Sequence, residues 1–346
     1  MFSSCQTKGF FAKKSTNCAL LFSKGEIVQM HDHPISHLTD LDRRRFIQAS
    51  GLTLASIVLG GIFPEITKAA QTVTLPGFSS FAYKVKVFKN SKYYLVESDG
   101  LPDHGMMVGI RSWQQQIPTP QPYAGTNSWP IPIKPVISKN PISAKNHFLR
   151  GAIALAVNGV PIFNALNNRG EDAFLAGELD EWGGHCGRAD DYHYHSAPFH
   201  LQEVIGTKAP IAYALDGFPI YGEKEADGKK VIGLDEFNGH FDSKKNYHYH
   251  GTKAFPYING GFKGVVTELD GQVSPQAATK GFRPAGTPLR GAAITSFSKV
   301  NTDSYLLEYK LNENIYQIIY KASKTEVEIE FRNPNGDTRR EVYTRK

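Results

Sequence analysis

Cysteine is scarce in this chain, with three in 346 residues, at Cys5, Cys18 and Cys186. So small a number excludes a disulfide framework as the device that holds the fold together. A basic block interleaved with aromatics is also missing, which leaves a nucleic-acid surface without support despite a formal charge of +6. No Gly-x-Ser-x-Gly elbow occurs, so Ser-His-Asp chemistry has little to stand on. No apolar run reaches the roughly 20 residues of a membrane span. What stands out instead is histidine, and its placement.

Near the N-terminus, Arg43-Arg44-Arg45-Phe46-Ile47-Gln48 leads into an apolar, glycine-dotted run from Ala49 to Phe63. This resembles a twin-arginine export signal, with Thr67-Lys68-Ala69-Ala70 offering a cleavage site after Ala69. The alternative is a retained anchor, against which the shortness of the run argues. Met30 lies 13 residues ahead of Arg43 and is the expected start of translation, which would remove Cys5 and Cys18. Cys186 then stands alone, and no internal disulfide can form. Residues 1–69 carry eight Lys or Arg and five Asp or Glu, so the remaining charge falls from +6 to +3. The expected location is periplasmic or secreted, by the twin-arginine route, with no permanent membrane span. About 277 residues remain, enough for one large domain or two modest ones.

The remaining chain reads as mainly β, with antiparallel strands and long irregular loops. Residues 82–88 and 93–96 alternate as two strands around a turn at Lys89-Asn90-Ser91-Lys92. Between 117 and 143, prolines at 118, 120, 122, 130, 132, 135 and 141 forbid a long helix and predict extended chain that follows the surface. Ala152 to Val157 and Ile211 to Leu215 read as buried strands, closed by tight turns at Asn158-Gly159 and Asp216-Gly217. A short helix is predicted between Asn164 and Glu181, and a charged loop from Glu223 to Ile232. Past residue 264, Ser304 to Leu311, Ile315 to Lys321 and Glu326 to Phe331 alternate, and Asn335-Gly336 turns into a last strand, predicting a C-terminal β-meander.

An internal repeat organises the middle. Leu179-Asp180-Glu181-Trp182-Gly183-Gly184-His185 is followed by Tyr192-His193-Tyr194-His195, and 55 residues later Leu234-Asp235-Glu236-Phe237-Asn238-Gly239-His240 is followed by Tyr247-His248-Tyr249-His250. Upstream, Val157 to Phe163 matches Leu215 to Tyr221 at an offset of 58. This is a duplicated unit with a small length change inside it, a pseudo-two-fold repeat spanning residues 147–200 and 208–258.

In a strand, His193 and His195 share one face while Tyr192 and Tyr194 take the other. His185 completes a His-x7-His-x-His set, and His240, His248 and His250 repeat it. Neutral imidazoles suit zinc, copper, iron and nickel, and three of them leave a position open. The six residues between His185 and Tyr192 all differ from their counterparts, yet the histidine spacing persists. The tyrosines are expected to pack the sheet. Asp180, Glu181, Asp235 and Glu236 recur at matched positions as candidate proton acceptors, ligands, partners orienting a histidine, or turn caps. Asp103-His104-Gly105-Met106-Met107 is a weaker copper candidate. Cys186, beside His185, is a candidate soft ligand or thiolate, although Phe241 stands in its place in the second repeat. His147 and His200 have no counterpart and read as structural.

At these residues the chain resembles the YHYH-domain family, a group of mostly exported bacterial proteins named for the tetrapeptide. Gly184-His185, Gly239-His240, both tetrapeptides, and Asn158 to Ile162 with Asp216 to Ile220 carry the resemblance, and Gly100-Leu101-Pro102-Asp103-His104 resembles the family's N-terminal signature. It covers residues from about 95 to 264 and implies an extracytoplasmic location, with His104 joining the histidines to watch. It names no metal and no reaction.

The expected organisation is a signal region at 1–69, a domain at 70–264 and a meander at 265–346. The leading expectation of function is an exported protein that binds copper or zinc through the duplicated three-histidine clusters, at two sites or one composite site. One alternative is a metal-dependent hydrolase acting on an extracellular ester or glycan, or, with copper, an oxidase acting on an extracellular substrate, with a small molecule or glycan as partner in either case. Another is a glycan- or protein-binding module that presents the tyrosines, Trp182 and Phe237.

Overall fold

Asn90 turns the chain back on itself, its side-chain oxygen accepting from the backbone N–H of Lys92 and of Tyr93, both at 2.8 Å. The computed structural model describes residues 71–345. The twin-arginine segment, Met30, Ala69, Cys5 and Cys18 lie outside the described residues. Around the Asn90 turn, β1 (Gln71–Thr72), β2 (Lys86–Lys89), β3 (Tyr93–Glu97) and β4 (Trp129–Pro132) form an antiparallel sheet in that order. The strand expected from residue 82 begins only at Lys86. Phe78 and Phe81 bury their rings in a 3-10 turn just before, and Val85 N–H donates to Phe81 O at 2.8 Å, which takes these residues out of the ladder.

The proline-rich stretch departs from its expected surface course. Its backbone is extended apart from a 3-10 turn at Gly125–Asn127, but Ile117, Tyr123, Trp129 and Ile131 are buried, and the Tyr123 and Trp129 rings meet edge to face at 5.0 Å. The prolines set the backbone while the large side chains between them take the stretch into the core. The strand β5 (Ile137–Ser143) ends the stretch.

The two repeats build one eight-stranded sheet. The first supplies β6 (Ala152–Ala156), β7 (Pro161–Phe163), β8 (Gly184–Cys186) and β9 (Tyr192–Tyr194). After the short helix α1 (Leu201–Ile205), the second supplies β10 (Ala212–Ala214), β11 (Pro219–Tyr221), β12 (Gly239–Phe241) and β13 (Tyr247–His250). The spatial order is β12-β13-β11-β10-β6-β7-β9-β8, which reads the same from either edge. Its centre is the antiparallel β6–β10 seam, where every residue of both strands is buried. Both tight turns form as expected, with Gly159 and Gly217 at φ 84° and 96°. The sheet is not wholly antiparallel, because β7 pairs with β9 and β11 with β13 in parallel. A parallel partner requires a long crossover, and the irregular stretches after β7 and β11 supply it.

The crossover of the first repeat corrects the predicted helix. Residues 164–183 are turns around an isolated bridge, Leu166 to Asp172, and the second repeat has the same bridge at Lys224 to Lys230. Of the residues expected to form a helical face, Ala173 and Leu179 are buried, while Phe174 and Leu175 are exposed at 58% and 74%. The Asp172 carboxylate takes the N–H groups of Phe174 and Leu175, so a side-chain turn replaces the helical ladder.

Further along, β14 (Gly261–Gly264) pairs with β5, and β15 (Thr267–Leu269) with β16 (Gln272–Ser274). The meander has five strands: β17 (Ala293–Lys299), β18 (Ser304–Leu311), β19 (Asn314–Ala322), β20 (Glu326–Arg332) and β21 (Thr338–Thr344), each antiparallel to the next. It is joined to the preceding residues by Tyr320, whose hydroxyl donates to Pro118 O at 2.7 Å. Among the described residues, no helix is long and apolar enough to cross a membrane.

Gly159 sits where the first sheet meets the eight-stranded one. A Cβ there would lie 2.5 Å from Ser98 Cβ and 2.9 Å from Val85 Cγ2. Gly228 also has a positive φ but open space around it. Gly159→Ala should therefore destabilise the protein by about 3 kcal/mol, conformational strain plus overpacking, and Gly228→Ala by about 1 kcal/mol. Urea denaturation of the two variants checks the difference.

Candidate metal centres

The register of two hairpins gathers the histidines. In the β8–β9 hairpin His185 lies directly opposite His193, and in the β12–β13 hairpin His240 lies directly opposite His248. Cross-strand neighbours bring their Cβ atoms to roughly 5 Å, and His195 or His250, two residues on, adds a third ring on the same face. The five-residue turns match too, with Asp190 and Lys245 both at positive φ, 57° and 64°. Two groups result: His185, His193 and His195, and His240, His248 and His250 together with Glu225. They sit on the outer hairpins of the sheet. With strands about 4.8 Å apart, five intervals separate β9 from β13, about 24 Å along the sheet, so the histidines make two sites and not one composite site.

Hydrogen bonds to backbone carbonyls determine which ring nitrogen carries the proton. His193 Nδ1–H donates to Asp191 O at 3.1 Å, and His195 Nδ1–H to Asn164 O at 2.5 Å. In the second group, His240 Nδ1–H donates to Ile232 O at 3.0 Å and His250 Nδ1–H to Gly222 O at 2.8 Å. A carbonyl can only accept, so each of these rings presents a bare Nε2 lone pair. The Nε2 atoms converge. His193 and His195 Nε2 are 3.1 Å apart, as are His195 and His185 Nε2, and His240 and His248 Nε2 are 3.0 Å apart. Ligand nitrogens on a tetrahedral ion at 2.0–2.1 Å stand about 3.3 Å apart. The residues therefore fit a metal. His250 Nε2 is buried and has no hydrogen-bond partner in the protein, the condition of a ligand atom without its ion.

Electrostatics agree with neutral, ligating rings. Burial, followed by the neighbouring histidines, holds His185 well below the usual range, and burial brings His195 down to about 3. Burial likewise lowers His248, and it takes His250 to about 4. Phe163 stacks on His193 at 3.9 Å, and its repeat partner Tyr221 packs edge-on against His248 at 5.4 Å.

The other face of the same strands is aromatic and dry. All four tyrosines of the tetrapeptides are buried, and each phenol has a polar partner. Tyr192 donates to Asp180 at 2.8 Å and Tyr247 to Asp235 at 2.9 Å; Tyr249 donates to Asp216 at 2.6 Å, and the Asn158 amide donates to the Tyr194 oxygen at 3.1 Å. Gly184 and Gly239 are needed here, because a Cβ on either would strike the phenol of Tyr192 or Tyr247.

This face, and not the histidine face, receives the recurrent aspartates. Asp180 accepts from Trp182 N, Gly184 N and Met107 N as well as Tyr192, and burial raises its carboxyl to about 6 while these donors pull it back. Asp235 accepts from Phe237 N and Gly239 N. Both cap turns and orient tyrosines. Glu181 and Glu236 are exposed and belong to neither histidine group. His104 also lies away from both groups: it stacks on Trp182 at 4.5 Å and accepts at Nε2 from the Tyr194 hydroxyl at 2.7 Å. Met106 and Met107 are core residues. Cys186 belongs to neither histidine group, and burial pushes its thiol well up. His147 pairs with Glu268 at 2.7 Å, and His200 packs edge-on against His104 and Trp182.

Sequence reasoning missed Glu225. It approaches the whole second group, at 3.0 Å from His240, 3.3 Å from His248 and 3.6 Å from His250 Nε2. The 58-residue offset places it opposite Asn167, so the first group has no counterpart carboxylate. That difference between the halves was the available signal.

His104 and His200 both have pKa values lowered to about 4, chiefly by burial. Between their unfolded value near 6.5 and about 4, the unfolded chain binds more protons than the folded one, so stability is lost as pH falls through that window. Metal-free protein carrying His200→Leu should lose less stability between pH 7 and 4.5 than the parent, as read by urea denaturation at the two pH values.

No curated protein and no solved structure matches the chain. Residues 128–232 match the family described as YHYH protein, a stretch that contains the first tetrapeptide and ends before the second. Through that stretch, with its converging histidines and its buried tyrosine face, the chain is similar to the YHYH protein family.

Proposed function

We propose that this is an exported metal-binding protein with two non-equivalent centres for copper or zinc. The observation that carries the reading is the convergence of imidazole Nε2 atoms, with His250 Nε2 buried and unpartnered beside its neighbours. The bare Nε2 atoms of His193 and His195 lie 3.1 Å apart, an arrangement that a cation between them stabilises. Three imidazole nitrogens, alone or with a carboxylate, suit zinc and copper by softness and affinity order. The twin-arginine sequence supports export, a route that carries folded proteins and so allows an ion to be taken up beforehand.

Purified mature protein incubated with copper or zinc should retain two equivalents after desalting. His193→Ala and His248→Ala should each leave one, with the fold intact by circular dichroism. Retention of less than about a tenth of an equivalent by the parent would remove the reading.

A further inference from the structure

The two centres differ at one structurally equivalent position, and the difference decides what each can bind. Asn167 and Glu225 begin the same turn. Asn167 N–H donates to Glu171 O at 2.8 Å and its carbonyl takes Gly170 N–H at 2.9 Å; Glu225 N–H donates to Lys229 O at 3.0 Å and its carbonyl takes Gly228 N–H at 2.8 Å. In the second repeat the carboxylate approaches all three imidazoles and would give an ion there a fourth donor, the donor set of a closed centre. In the first repeat the side chain is used up by its own turn. The Asn167 amide donates to Glu171 at 3.0 Å and Glu178 at 3.2 Å, while its oxygen takes the N–H groups of Arg169 and Glu171. His185, His193 and His195 are left as a three-nitrogen set.

The open side of that set has room and charge. A cavity of about 220 Å³ is lined by all three histidines. Three arginines share the first cavity: Arg169 is held by Glu171 and Glu178, but Arg150 and Arg188 are exposed and make no ion pair among the described residues. Two unpaired guanidinium groups beside a divalent centre select an anion, and their planar forks match carboxylate or phosphate oxygens.

Building on the metal reading above, we propose that the first centre is the ligand-exchanging one, and that its open position takes the carboxylate or phosphate group of a small molecule held by Arg150 and Arg188. Glu225 makes the second centre structural. The exchange is a ligand substitution, in which the anionic oxygen replaces water on the ion with no change of oxidation state.

Cobalt(II) provides the readout, since its visible absorption reports coordination. Protein loaded with two equivalents of cobalt is titrated with inorganic phosphate and, separately, with acetate. Half of the bound cobalt should respond, and whichever anion saturates at the lower concentration identifies the preferred group. Arg150→Gln and Arg188→Gln should each weaken that anion about tenfold or more while both equivalents of cobalt remain. Asn167→Glu should abolish the response without loss of metal, and Glu225→Asn should bring the second ion into it. Two bound ions that ignore both anions, or that respond equally in the parent protein, would overturn this assignment and leave the metal reading standing. Failure to hold cobalt, zinc or copper at all would overturn the metal reading first, and this assignment with it.

Discussion

The candidate centres depend on imidazole rings whose outer nitrogens are hydrogen-bonded to the backbone, so that their Nε2 atoms turn toward one another. Backbone carbonyls from Asn164, Asp191, Gly222 and Ile232 take the Nδ1 protons and so commit the Nε2 atoms to face inward. Four of the six rings are thus oriented by the fold itself. An ion held at either group would therefore owe its affinity in part to hydrogen bonding elsewhere in the sheet.

Strand alternation lets four residues serve two surfaces. The histidines of each tetrapeptide look toward the centre, and the tyrosines look into the core, where aspartates and an asparagine from the turns hold their hydroxyls. Asp180 and Asp235 stabilise the turns that precede His185 and His240 and also receive Tyr192 and Tyr247. Position and orientation of the metal face are therefore set from behind it. A one-residue slip in either hairpin would exchange the two faces, placing tyrosines at the ion and imidazoles in the core.

Much of this was legible from period and repetition. The meander strands from Ser304 onward and both Asn-Gly and Asp-Gly hairpins follow directly from alternation and turn chemistry. The two histidine triads follow from a spacing that occurs twice. Harder to read was anything set by non-local contacts. The burial of Tyr123 and Trp129 among prolines depends on what packs against them. The helix expected between Asn164 and Glu181 gives way to an Asp172 turn, because one carboxylate satisfies two backbone N–H groups there. Glu225 lies in a charged loop 15 residues before His240, and only its place in the turn that Asn167 also occupies reveals it.

The strands β8 and β12 are the borders of the eight-stranded sheet, each three residues long and paired on one side only. An unpaired border is where a second chain can add itself, and shortness alone is a modest defence. An ion held by His185 from the border strand and by His193 and His195 from its neighbour would rivet that hem to the fabric, and one held by His240, His248 and His250 would do the same at the far margin. Metal occupancy would then also guard against self-association: stripped of its ions, the sheet would have two loosened selvedges, one on each side.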